Sequence, residues 1–185
     1  PDRWARDRFG LGQVRGPRVM RFAYADPPYL GCGKSLYGKH HPEAAIWDDE
    51  LTHIELAQNI VDEYPDGWVI SLNPRDLKMY LNAVPDDVRV GSWVKTFHQI
   101  RPTTTQYAWE PVLFRGGRKD NKRSPMVRDW FQGNATRMRG LPGVKSHEFN
   151  RWVMDLLNYK EGDTLDDLFP GKGGMEKCLN ELVLI

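Results

Sequence analysis

Cysteine is nearly absent from this chain. Cys32 and Cys178 are the two it has, far apart and outside any C-x-x-C spacing. That excludes a disulfide framework and a thiolate zinc site, and no metal centre is expected. It fits a reducing, cytoplasmic compartment. Long apolar runs are also missing: none approaches the ~20 residues that cross a bilayer, and no secretory leader is visible ahead of the first strand. The sequence opens on Pro1 rather than Met. A dominant charge is lacking too, since the formal net charge is only +1. This excludes a uniformly polybasic or polyacidic protein and turns attention to where the charges sit.

The 185 residues suffice for one domain with a real core. Hydrophobic residues make up 40% and charged residues 28%, ordinary for a globular protein. Seven tryptophans are many for this length, enough for some to fill the core and others to stack on a ligand or base. The charge is unevenly spread. From Arg115 to Lys145 there are nine basic residues against Asp120 and Asp129, so the remainder of the chain is net acidic. The stretch up to Arg21 carries six arginines against Asp2 and Asp7. Two basic segments around an acidic body point to a polyanionic partner at one face.

Residues 1–19 read as a basic arm and 20–185 as one domain with a basic insert at 115–145. Apolar periodicity and turn residues predict strands over 20–25, 68–72, 88–94, 107–114 and 163–169. They predict helices over 50–64, 74–83, 148–157 and 175–182. Asp48 or Asp49 is the N-cap of the first helix. Pro111, inside a strand, calls for an edge position or a bulge. Residues 30–48, with three glycines and Pro42, read as a mobile loop. The insert reads as having little regular structure. Strands alternating with helices imply an α/β fold: a mostly parallel sheet of about five strands with helices on both faces. Ligands of such sheets bind at the carboxyl ends of the strands.

Two strand ends carry chemistry. The first is Asp26-Pro27-Pro28-Tyr29. Consecutive prolines fix φ and lack N–H groups, so they hold a rigid extended corner with carbonyls available. A carboxylate and a carbonyl beside an aromatic ring can accept both hydrogens of an amino group on a flat ring and stack on that ring. The second is Asp166-Asp167-Leu168-Phe169-Pro170-Gly171-Lys172-Gly173. A glycine turn between strand and helix lets backbone approach a ligand closely. It has neither the P-loop spacing nor G-x-G-x-x-G. An acidic strand end with a tight glycine turn suits a cationic, adenosine-bearing cofactor.

Together these motifs resemble the amino-group DNA methyltransferases, which modify adenine N6 or cytosine N4. Asp26-Pro27-Pro28-Tyr29 is similar to the family's catalytic motif, and Asp167-Leu168-Phe169-Pro170-Gly171-Lys172-Gly173 to its cofactor motif. The catalytic motif comes first, an order resembling the permuted β-group; small bacteriophage-encoded members are the nearest likeness. The resemblance implies a Rossmann-like methyltransferase fold using S-adenosylmethionine, in a bacterial or phage-infected cell. It implies catalysis by Asp26, Pro27, Pro28 and Tyr29, with Tyr29 stacking on a flipped-out base. Cofactor contacts fall on Ala25, Asp167, Phe169, Pro170, Gly171 and Gly173. Lys145 joins them, standing where the family has Lys-Pro although Ser146 follows here; His147, Phe149 and Asn150 are further candidates.

The resemblance also places target recognition in the insert, with Arg118, Lys119, Lys122, Arg123, Arg137 and Arg139 as DNA contacts; His98 and Arg101, which follow a strand and so approach the rim, are further candidates. Residues 30–48, bearing Tyr37, His40, His41 and Trp47, become the lid. Ser71-Leu72-Asn73-Pro74 and Trp109-Glu110-Pro111-Val112 match intermediate motifs. The family's acidic, ribose-gripping strand has no counterpart before Ile185; a truncated chain, a minimal sheet of about five strands, or a contact from another residue or from a subunit such as a homodimer mate are the expectations this leaves. The expected reaction is methylation of adenine N6 in DNA. A catalytically idle DNA-binding subunit, cytosine N4 methylation and RNA adenine methylation stand as alternatives.

Overall fold

A computed structural model describes residues 18–38, 41–96, 102, 104–119, 126–134 and 144–182. In chain order the elements are β1 (Arg21–Ala25), α1 (Glu50–Glu63), β2 (Gly67–Ser71), α2 (Leu77–Ala83), β3 (Arg89–Val94), β4 (Trp109–Gly116), β5 (Trp130–Gln132), α3 (His147–Leu156), β6 (Thr164–Asp167) and α4 (Gly174–Leu182). The strands form one sheet in the order β5-β3-β4-β2-β1-β6. β1 pairs in parallel with β2 and β6, and β5 with β3, while β4 is antiparallel to both its neighbours. Among the described residues, five strands therefore run one way and β4 the other. Their carboxyl ends meet on one rim, where β4 enters with Trp109 and Glu110.

The central strands are apolar on both faces, as a sheet covered by helices on both sides requires. Phe22 and Tyr24 of β1 turn to one core with Val69, Val112, Phe149, Trp152, Val153, Met175 and Cys178. Ala23 and Ala25 turn to the other with Ala57, Ile60, Trp68, Ile70 and Tyr80. α3 and α4 thus cover one face, α1 and α2 the other. Each large apolar side chain so buried contributes about 1.5–3 kcal/mol.

Most predicted boundaries hold within a few residues, and the departures have local causes. Asp49, not Asp48, caps α1 by accepting from Thr52 N–H at 3.0 Å. Asp48 instead accepts from Gly33 N–H at 2.7 Å and Lys34 N–H at 3.1 Å. It thereby stitches a π-helical turn (Gly33–Tyr37) to a 3₁₀ segment (Pro42–Asp48), so the expected loop carries short helices. α2 starts at Leu77 because Asn73 Oδ1 accepts from Arg75 N–H at 3.0 Å and holds a turn first.

Pro111 sits inside the sheet, not at its edge. Its carbonyl accepts from Leu72 N–H, so its donor-less nitrogen faces the same side, one residue beyond the end of β2. A sixth strand, β5, arises within the basic insert. It is three residues long with one inward ring, Phe131, which packs on Phe149 and Trp152. So short a strand leaves no periodicity to read.

Candidate active site

β1 delivers Asp26 to the rim on the same face as Phe22 and Tyr24, because side chains alternate along a strand. Asp26 Oδ1 accepts a hydrogen bond from Lys145 Nζ at 2.8 Å. Lys145 comes from the residues just before α3, and its side chain is 7% exposed. Its ammonium also lies 3.6 Å from Glu110 Oε2 and 5.0 Å from the Trp93 ring centre. Glu110, at the start of β4, accepts the Tyr29 hydroxyl on Oε2 at 2.6 Å and the Lys95 ammonium on Oε1. Asp26, Lys145, Glu110 and Lys95 form a chain of alternating charge, with the phenol of Tyr29 anchored on it.

Burial and coupling set the charge states. Burial pushes the Asp26 carboxyl up and Glu110 adds to this, against the pull of Lys145. Burial works upward on Glu110 as well, but Lys145 and Lys95 outweigh it and hold that carboxyl below its usual range. For Lys145 burial works downward, and Asp26 and Glu110 overcome it, so the amine stays protonated. Burial, then Glu110, pushes the Tyr29 phenol well up, so it remains a neutral donor. The resulting site is a carboxylate fixed through one oxygen, at the mouth of a rigid proline corner.

The glycine turn lies next door. Tyr24 of β1 is in register with Asp167 of β6, and Leu168 N–H bonds Tyr24 O at 2.9 Å. Asp26 and Asp167 therefore stand on adjacent parallel strands at one rim and on one face. Burial raises the Asp167 carboxyl to about 6, with Phe169 N–H opposing and Asp26 adding. Gly171 and Gly173 take φ of +50° and +71°, the left-handed region that glycine enters without strain. A Cβ at Gly171 would approach nothing closer than the Phe169 carbonyl at 3.9 Å, so the turn is open above.

Phe169 is met edge-on by Trp47, with ring centres 4.9 Å apart. His53, buried, holds that tryptophan: Nε2 donates to the Trp47 carbonyl at 2.8 Å and Nδ1 accepts the Tyr80 hydroxyl at 2.7 Å. The lid segment is thus fastened to the glycine turn.

The remaining sequence-predicted residues fall differently. Ala25 is fully buried in the core against α1 and α2, which leaves only its backbone at the rim. Lys145 is on Asp26. Phe149 is fully buried, and His147 lies on the surface 3.3 Å from Glu181. Pro170 and Gly171 are exposed at the turn.

Arg118 and Lys119 follow the carboxyl end of β4 and so lie at the opposite end of the sheet. Arg118 donates to Asp163 and to the Arg18 carbonyl, while Asp163 also accepts from Met20 N–H and Lys160 N–H. Lys122, Arg123, Arg137, Arg139, His98, Arg101, His40 and residues 1–17 lie outside the described residues. Sequence reasoning named Glu110 only within an intermediate motif match, without a role, and missed Lys95. The signal was an acid at a strand start, legible once β4 is known to run against its neighbours and present that end to the rim.

No protein-family model and no curated protein sequence matches the chain. Solved structures do. A crystal structure of the M1.HpyAVI–SAM complex superposes with a TM-score of 0.61 over 89% of this chain and 80% of that one, at 16% identity. A crystal structure of M1.HpyAVI gives 0.57 over 89% and 76%, at 12% identity. The chain has the fold of these proteins.

Proposed function

We propose that this chain is an S-adenosylmethionine-dependent methyltransferase acting on the exocyclic amino group of a base in DNA, with adenine N6 as the favoured target. The observation that carries this is the side-by-side placement of Asp26 and Asp167 on adjacent parallel strands, one ending in a proline corner and the other in an open glycine turn. The SAM complex of a protein sharing the fold supports the choice of cofactor.

The residues suit that cofactor. Asp167 offers a carboxylate to its cationic end, the left-handed glycines allow close backbone approach, and Phe169 offers a ring face steadied by Trp47. When bound, the cofactor supplies an electrophilic methyl on a sulfonium.

The chain's own groups prepare the acceptor. An exocyclic amine is a poor nucleophile because its lone pair is delocalised into the ring. Asp26, through the oxygen not held by Lys145, and the Pro27 carbonyl accept its two hydrogens and favour a tetrahedral nitrogen. The Lys145 ammonium pulls the Asp26 carboxyl towards its ionised form, against the upward push of burial. The proton displaced from nitrogen leaves through the Asp26 carboxylate to water. Tyr29, its hydroxyl tied to Glu110, presents a fixed ring against the base. A base in duplex DNA is unreachable, so the target is flipped out.

The test is methyl transfer from labelled cofactor to unmethylated DNA, followed by digestion to nucleosides. N6-methyldeoxyadenosine is expected. Asp26→Ala should abolish transfer while folding and cofactor binding persist. Absence of label on DNA and RNA together with no calorimetric cofactor binding would refute the proposal.

A further inference from the structure

The two faces of the sheet are unequally covered. On the α3 side, Trp93 and Phe131 pack against Phe149 and Trp152. On the other side, among the described residues, α1 and α2 cover β1 and β2, while β4, β3 and β5 extend beyond them. Alternation and register put Trp109 and Pro111 of β4, Val90, Ser92 and Val94 of β3, and Trp130 and Gln132 of β5 on that open face. Trp130 is 43%, Val90 42% and Trp109 38% exposed, and Tyr107, just before β4, is 44% exposed. Two of these rings carry a guanidinium. Arg128 lies 5.3 Å from the Trp130 ring centre. Arg75 lies 5.5 Å from that of Tyr107 and donates to its hydroxyl.

We propose that this open face is a platform for an unpaired stretch of nucleic acid, with bases stacked on Trp109, Trp130 and Tyr107 and phosphates met by Arg75 and Arg128. Large aromatics left on a sheet face beside an edge strand are a liability unless something covers them. Rings dressed with guanidinium groups match a ligand that alternates flat π-faces with negative charge. A second copy of this chain fits worse, because a two-fold contact through this face would set the same arginines against each other.

Position agrees in part: Trp109 lies at the rim end of β4, next to Glu110 in sequence but on the opposite face of the sheet, so nucleic acid on the platform passes over the rim to reach Asp26. The inference rests on the proposed base methylation for placing nucleic acid at that rim.

The experiment uses the full chain with the double substitution Trp109→Ala and Trp130→Ala, and the conservative pair Trp109→Tyr and Trp130→Tyr. Both positions are solvent-exposed, and far-UV circular dichroism with melting checks the fold. Fluorescence anisotropy of a labelled single-stranded DNA of about 15 nucleotides reads affinity, and sedimentation reads oligomeric state. The alanine pair should lose about tenfold or more in affinity, the expectation for lost stacking on even one base, and the tyrosine pair should restore most of it. A folded alanine pair that binds like wild type overturns the platform. So does a wild-type dimer that the alanine pair dissolves, since the face would then belong to a second copy. If wild type methylates DNA and the alanine pair binds unchanged, only the platform falls; if wild type neither binds nor methylates nucleic acid, the functional proposal falls with it.

Discussion

Asp167 offers a test in which stability and binding move in opposite directions. Its carboxyl rises from 3.8 to about 6 in the folded chain, chiefly through burial. A raised folded value means that the group's stabilising contribution is complete below its unfolded value and is lost as pH climbs through about 6. Near neutral pH the ionised carboxylate therefore strains the ligand-free fold. A shift of about two units corresponds to ~3 kcal/mol. Asp167 is only partly buried, and solvent screening reduces this to about 1–2 kcal/mol.

Asp167→Asn keeps an oxygen for Phe169 N–H, a 3.2 Å bond in the wild type, and removes only the charge. The ligand-free variant should melt higher than wild type near neutral pH, by about 2–8 °C for a domain of this size. The two curves should converge towards about pH 4, where both side chains are neutral. Cofactor affinity should fall, because a charge-assisted contact of about 1.5–3 kcal/mol is lost, equivalent to about 10- to 150-fold. Differential scanning fluorimetry from acid to neutral pH, with and without S-adenosylmethionine, measures both effects. A variant that melts below wild type at neutral pH would refute the burial argument, and one with undiminished affinity would refute the role assigned to Asp167.

Two further predictions concern the alternating charges. Lys145→Met strips Asp26 of its counter-charge, so the acid limb of the pH–rate profile should move up. Urea denaturation of the same variant should show a loss of about 3–5 kcal/mol, because Asp26 loses its buried counter-charge while Glu110 keeps Lys95. Glu110→Gln should move the acid limb the opposite way, since a neighbour that raises the Asp26 carboxyl is gone while an acceptor for Tyr29 remains. An acid limb that stays put in both variants would mean that Asp26 does not titrate in the rate-limiting step.

The two ends that carry the proposed chemistry were legible because local rules coincide there. Phe22 to Ala25 is apolar throughout, as a strand buried on both faces demands, and Pro27 and Pro28 can only end it. Asp167 and the glycines after it show the same strand-to-turn switch. What escaped was long-range. Lys95 and Glu110 join Lys145 only through the pairing of β3 with β4 and the packing of α3; Lys95 has no local signature, and the motif match over Trp109-Glu110-Pro111-Val112 gave Glu110 no role. Charge counting marked Arg118 and Lys119 as basic but could not say at which end of the sheet they emerge. Pro111 obeyed the rule that a proline needs a missing partner. The rule was met by β2 ending one residue short, which no reading of β4 alone could reveal.

Asp163 gives the molecule a mechanical property. One buried carboxylate gathers the first amide ahead of β1, the turn ahead of β6 and the Arg118 guanidinium. The two strands that end in Asp26 and in the glycine turn are thus clamped at their roots, like a pair of tines fixed in one handle. β1 carries its tip about 17 Å from that clamp, at ~3.3 Å per residue. The ladder between β1 and β6, closed at the tip by Leu168 N–H on Tyr24 O, keeps these tines from splaying, so Asp26 and the glycine turn are held in one register from root to tip.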